Sequence, residues 1–136
     1  MIAMSLNDGW TEVAFNTRDP VYLQVVGYFK EKIATGRLAA GQVIPSRREL
    51  GGLMKINPNT VQKAYKEMEE QRLIITEGNS HSRITTEEKV LNQIRAELIG
   101  NAVCSFVASV RKIDVPIDEL LQLVKSKYEE GAPEHD

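Results

Sequence analysis

The run Asn57-Pro58-Asn59-Thr60-Val61-Gln62-Lys63-Ala64-Tyr65-Lys66 holds the side chains best placed to do chemistry. Asn59 and Gln62 carry amides of the kind that pair bidentately with adenine, and the Thr60 hydroxyl can donate, accept or touch a thymine methyl. Lys63 and Lys66 stand one turn apart, with Arg47 and Arg48 upstream, so cations for phosphate lie close to groups for base edges. This chemistry is recognition of nucleic acid, not bond breaking. Each feature also has a plainer use: Asn57 with Pro58 is first a helix start, Thr60 can bond locally, and helix lysines are often simply solvated.

No second constellation competes. His81 and His135 lie far apart and without acidic or thiol company, and Cys104 has no histidine at a spacing that would make it a nucleophile. No enzyme activity, metal or cofactor is therefore expected. A single cysteine excludes a disulfide within the chain, and Cys104 reads as an inert small hydrophobe in a core or dimer interface.

The elements that must position these side chains are signalled by caps and periodicity. Asp19 reads as an N-cap with Pro20 at the first helical position, Leu23, Val26, Phe29 and Ile33 follow at helical spacing, and Gly36 stops a helix of about 20–35. Residues 38–44 read as a loop turning at Gly41. Ser46 and Glu49 form a capping box opening a short helix of about 46–54. Asn57 and Pro58 open a third helix, about 58–71, after a connection so tight that the pair reads as a helix-turn-helix. In it Val61, Ala64, Tyr65 and Met68 form the core stripe, which leaves Asn59, Thr60, Gln62, Lys63 and Lys66 outside. Leu73–Thr76 and Ser82–Thr85 are β-prone around a turn, which adds a hairpin wing.

Thr86 is positioned to cap a long helix of about 87–112 whose apolar residues wrap around more than one face. Pro116 opens a last helix with Ile117, Leu120, Leu121, Val124 and Tyr128, ended by Gly131. Two such helices carry more apolar surface than they can hide in each other, so a homodimer is expected through Leu91, Ile94, Leu98, Phe106, Val107 and Val110. Trp10 and Phe15 are expected to pack the N-terminal segment onto the domain or the dimer mate, and residues 132–136 to be disordered.

With 136 residues, 42% apolar and 26% charged, the chain suits one domain with an appendage and buries a core without staples. The net charge of −2 hides a division. Residues 18–86 hold 11 basic and 7 acidic side chains, whereas residues 87–136 hold 6 and 10, so the basic piece is the one suited to a polyanion. No uncharged stretch approaches the about 20 residues of a membrane span, and no signal peptide opens the chain, which makes the cytoplasm the expected location. The fold class expected is mostly α with a small β-hairpin wing: a winged helix-turn-helix over 1–86, including an N-terminal segment 1–18, followed by a helical dimerisation region over 87–136.

Across residues 20–77 the sequence resembles the GntR family of bacterial transcription regulators. Pro20-Val21-Tyr22-Leu23-Gln24, the turns at Gly36-Arg37-Leu38 and Gly41, Pro45-Ser46-Arg47-Arg48-Glu49-Leu50, Asn57 to Tyr65, and Leu73-Ile74 carry the likeness. The Asn-Pro-Asn-Thr-Val segment and the two-helix C-terminal part most resemble the short YtrA-like branch. The resemblance implies DNA contacts at Arg48, Asn57, Asn59, Thr60 and Gln62, and a homodimeric repressor on a palindromic double-stranded operator, often of transporter genes. The wing departs from the family pattern, because Gly78 is followed by Asn79-Ser80-His81-Ser82-Arg83-Ile84 and not by a second glycine and an aromatic. Gly78 and His81 are the wing positions left as candidate DNA contacts, and Arg83 is a further candidate for phosphate, with a solvated loop as the plainer reading. No small-molecule effector is named by the sequence. The reading of another class is a winged-helix protein-interaction module that does not bind DNA, which the basic balance of residues 18–86 opposes.

Overall fold

A computed structural model describes Trp10, residues 13–78 and residues 81–131. In chain order the elements are α1 (Val21–Ala34), α2 (Arg47–Met54), α3 (Pro58–Glu70), β1 (Ile74–Thr76), β2 (Ser82–Ile84), α4 (Glu88–Val110), a 3-10 turn at Arg111–Ile113, and α5 (Ile117–Glu130). The fold is a winged helix-turn-helix followed by two helices.

Caps explain most boundaries. Ser46 accepts from the Glu49 amide at 3.1 Å while Glu49 accepts from the Ser46 amide at 2.9 Å, so two orphan donors at the start of α2 are satisfied reciprocally. Asn57 accepts from the Asn59 amide at 2.7 Å, with Pro58 in the first turn of α3. The start of α1 differs from the expectation: Pro20 itself is the cap residue, with ψ 133°, and no side chain caps it. Asp19 is displaced from that role because Asn16 organises the approach, accepting from the Arg18 and Asp19 amides at 3.0 Å each. At α4 the pre-helix hydroxyl is that of Thr85, which accepts from the Glu87 amide at 3.1 Å and is fully buried, while Thr86 is exposed.

Two helix ends lacked a glycine signal. Lys55 after α2 and Arg72 after α3 both adopt left-handed φ, 56° and 63°, where glycine is favoured. At Arg72 the turn closes as a Schellman motif, the Leu73 amide donating to Met68 at 2.8 Å and the Arg72 amide to Glu69 at 3.0 Å.

The hairpin pairs Ile74 with Ile84 and Thr76 with Ser82. Residues 41–44, expected as a plain loop, run along the other side of β2: Val43 bridges Arg83, Ile44 donates to Ser82 at 3.0 Å, and Ile84 donates to Gln42 at 2.9 Å. β2 is thus held from both sides.

Residues up to Leu98 form one compact unit and residues from Ile99 a second. In the first, Phe29, Leu50, Val61, Tyr65, Met68, Leu73 and Ile84 close a core around the helix-turn-helix. Val90 and Ile94 complete it, so Ile94, expected at a dimer interface, is instead 3% exposed inside its own chain, and Leu91 and Leu98 pack against the same cluster. Their helical spacing turned them toward the domain that precedes them. Trp10 is buried, its ring 5.0 Å from Phe29 and 5.9 Å from Tyr28, and Phe15 packs partly buried against the same core. The ammonium of the buried Lys32 lies over the Tyr28 ring at 5.0 Å and the Trp10 ring at 6.0 Å.

The second unit buries none of its described residues. Ile99, Val103, Phe106, Ile117, Leu121 and Val124 are exposed there, and Val107 and Val110 are half-buried. Cys104 is an exposed free thiol, not a core residue. Residues 132–136, expected to be disordered, lie outside the described residues. No helix of the described chain is long and apolar enough to cross a membrane.

Candidate nucleic-acid interface

Where α2 meets the start of α3, a notch of about 600 Å³ opens between the helices, lined by Arg47, Arg48, Ile56, Pro58, Asn59 and Gln62 together with Gly51 and Gly52. Two chain segments predicted to act together are brought together here. The tight turn at Lys55 makes this possible, since it reverses the chain between α2 and the Asn57 cap without a spacer.

Arg48, Asn59, Gln62 and Lys66 are exposed, and their side chains have no hydrogen bond or ion pair among the described residues. Thr60 is half-buried beside them, and Lys63, also exposed, lies over the Tyr22 ring at 5.9 Å. Asn57 divides its side chain: the carbonyl is used as a cap, and the amide NH2 of this exposed residue has no hydrogen bond among the described residues. The opposite face of α3 is closed by Val61, Ala64, Tyr65 and Met68, so the helix is fixed by its core side while its polar side stays open.

Arg47 behaves differently from its neighbour. Its Nη2 donates to Glu69 Oε1 at 3.0 Å and its guanidinium lies 5.1 Å from the centre of the Tyr65 ring. Expected as a phosphate ligand, Arg47 is already engaged within the protein, a partnership that depends on residues 22 positions apart and has no local signature. Tyr65 in turn donates from its hydroxyl to the Pro45 carbonyl, and burial pushes its phenol well above the usual range. The Glu49 carboxyl is held below its ordinary value, first by the Ser46 amide and then by the Ser46 hydroxyl, with a smaller effect from His81.

In the wing, Gly78 has φ 58° and open space where a Cβ would stand, so its requirement is conformational. His81 is exposed just before β2. Arg83 reaches back to the Gly41 carbonyl at 3.1 Å. The tip, Asn79 and Ser80, lies outside the described residues. Among the described residues no group of three or more His, Cys, Asp or Glu could hold a metal ion.

Comparison with known proteins adds to this geometry. Residues 21–84 match the sequence profile of the bacterial regulatory proteins of the gntR family. The HTH-type transcriptional repressor YtrA of Bacillus subtilis is 30% identical over 107 residues, which span 78% of this chain and 82% of YtrA. The chain belongs to the GntR family. It is a DNA-binding transcriptional regulator of that family, which is not an enzyme class, and it resembles the short YtrA-like members. The HTH-type regulator YhcF of the same organism is 26% identical over 117 residues, 86% of this chain and 97% of YhcF. Among solved structures, a GntR family regulator from Listeria monocytogenes superposes with TM-score 0.74 at 28% identity over 82% of this chain and 98% of its own. A transcriptional regulator from Oenococcus oeni gives 0.70 at 35% identity over 85% and 96%.

Proposed function

We propose that this GntR-family chain is a homodimeric repressor that works in the cytoplasm on a palindromic operator, with α3 as the helix entering the major groove. The observation that carries the proposal is the notch between α2 and α3, where Arg48, Asn59 and Gln62 stand exposed and unpaired beside one another. Arg48, Lys63 and Lys66 supply cations for phosphate, while Asn59, Thr60 and Gln62 supply groups for base edges. Asn57 contributes its remaining amide, and Gly78 and His81 bring the wing to the adjacent backbone. The likeness to YtrA, a repressor by its name, favours repression over activation. Transporter genes are the expected class of target; no effector is assigned.

Dimerisation rests on the second unit, where Phe106, Ile117, Leu121 and Val124 are exposed on helices with no apolar partner surface of their own. Val107 and Val110 flank Phe106 and belong to the same proposed interface. Symmetry then dictates inverted half-sites, with centres about one helical turn or roughly 34–36 Å apart.

Selection of bound fragments from the host genome, followed by titration of the selected site, tests the proposal. Asn59→Ala should cost about 1–3 kcal/mol and relax preference at one base position. Arg48→Ala should weaken all sequences alike and lower the salt slope by about one. Inserting five base pairs between the halves should reduce affinity toward the non-specific level; unchanged tight binding to the spaced site would refute the rigid symmetric dimer.

A further inference from the structure

We propose that Glu69 limits the sequence-independent, salt-dependent part of DNA binding by holding the Arg47 guanidinium off the phosphate backbone and tying it to the root of the wing. The proposal rests on the DNA-binding reading above. Arg47 occupies the first turn of α2 in the notch, next to the unpaired Arg48, and by position alone it would be a second phosphate ligand. Its Nη2 instead meets Glu69 Oε1 at 3.0 Å, and the face of Tyr65 supports the guanidinium at 5.1 Å. The side chains of both partners are only about one-third exposed, 36% for Arg47 and 34% for Glu69, so water screens the pair incompletely.

The same carboxylate has a second partner. Its Oε2 accepts from the Thr76 hydroxyl at 2.8 Å, and Thr76 shares a 2.7 Å hydrogen bond with Ser82 across the hairpin. One carboxylate therefore links the start of α2, the end of α3 and both wing strands. The link to Arg47 is also releasable. Arg47 Nε is buried and unpartnered, so the guanidinium is held through one nitrogen and a ring and not through a bidentate fork.

A neutralised guanidinium displaces no counterion from DNA. A freed one adds a phosphate contact that is the same on every sequence, which strengthens random DNA as much as the operator and makes binding more salt-dependent. Glu69 thus lowers affinity for DNA of every sequence and makes it less sensitive to salt.

The test uses the full-length protein, a random-sequence duplex and a genomic fragment that it binds, with Kd measured between 50 and 200 mM salt. Glu69→Gln should steepen the salt slope by about 0.9, an extra loss of about threefold over that range, and tighten random DNA at the lowest salt several-fold. Arg47→Met should leave the wild-type slope unchanged. The double variant should return to the wild-type slope, since there is no cation left to release. The proposal is overturned by a slope in Arg47→Met that flattens as in Arg48→Ala, because Arg47 then already grips phosphate. It is equally overturned by an unchanged slope in Glu69→Gln, or by a double variant that keeps the steeper slope, which would assign the effect to the lost anion alone. If Glu69→Gln does not fold, Arg47→Met decides the question by itself. A wild-type protein that binds neither duplex would instead refute the DNA-binding reading, separately from any role of Glu69.

Discussion

Helices on the two sides of Leu98 carry similar apolar stripes and treat them in opposite ways. Before it, Phe29, Leu50 and Tyr65 are fully buried; after it, Ile117 is 64% exposed, Leu121 58% and Phe106 42%. Three short helices, a hairpin and the first turns of α4 can surround one another's apolar faces, so the first unit finishes its core with its own elements. In the second unit, the stripe Ile117, Leu121, Val124 and Tyr128 on α5 is left open. The contrast teaches that amphipathic periodicity specifies a helix face without specifying who covers it. One unit covers its apolar faces with its own elements; the other leaves them exposed among the described residues.

The sharpest way to break this contrast is to truncate one apolar residue on each side. Phe29→Ala should lower the stability of the first unit by about 3–5 kcal/mol in urea unfolding, whatever the protein concentration. Leu121→Ala should act through concentration instead, and equal, concentration-independent losses in both variants would erase the distinction. Next in size, a charge placed at Phe106 or Leu121 should convert a species of twice 15.3 kDa to one of 15.3 kDa in micromolar light scattering. Operator binding should weaken with it, because two linked half-sites are lost together.

Smaller effects sharpen the description of the finished unit. The Tyr65 phenol is raised in the fold above its ordinary 10.0, so its protonated form is favoured by folding. That contribution is complete below pH 10 and is lost as pH rises further; Tyr65→Phe should remove this alkaline component while costing about 1 kcal/mol for the hydrogen bond. Ser46→Ala should cost about 1 kcal/mol at neutral pH by unfolding the start of α2. The Glu49 carboxyl is depressed below 4.5, so the stability it contributes is present above that value and lost as pH falls below it. In Ser46→Ala the acid-dependent part should shrink, a difference readable from melting curves at pH 3 to 6.

Most of the fold was legible because its boundaries are written in local chemistry. The Ser46–Glu49 box, the Asn57-Pro58 start and Gly36, at φ 78°, each act within a few residues, and each fell where the spacing placed it. The stops at Lys55 and Arg72 carry no such mark, since cationic residues occupy the left-handed positions. The open, polar side of α3 was legible as the complement of its core stripe. What stayed hidden was long-range. Ile94 reads the same whether its face meets the preceding domain or a second chain, residues 41–44 show no strand pattern without β2 beside them, and the engagement of Arg47 exists only once α3 and α2 are packed.

The place of β2 between two backbone neighbours has a consequence for exchange with solvent. The Ile84 amide is held by Gln42 and the Thr85 amide by Leu73, one from each side. Both residues are fully buried. Releasing either proton requires parting the hairpin from the residues that close the core, so these amides should exchange with deuterium at the rate set by global opening of the domain. The root of the wing is then among the last parts of the unit to open, and it presents the wing from a footing as durable as the fold itself.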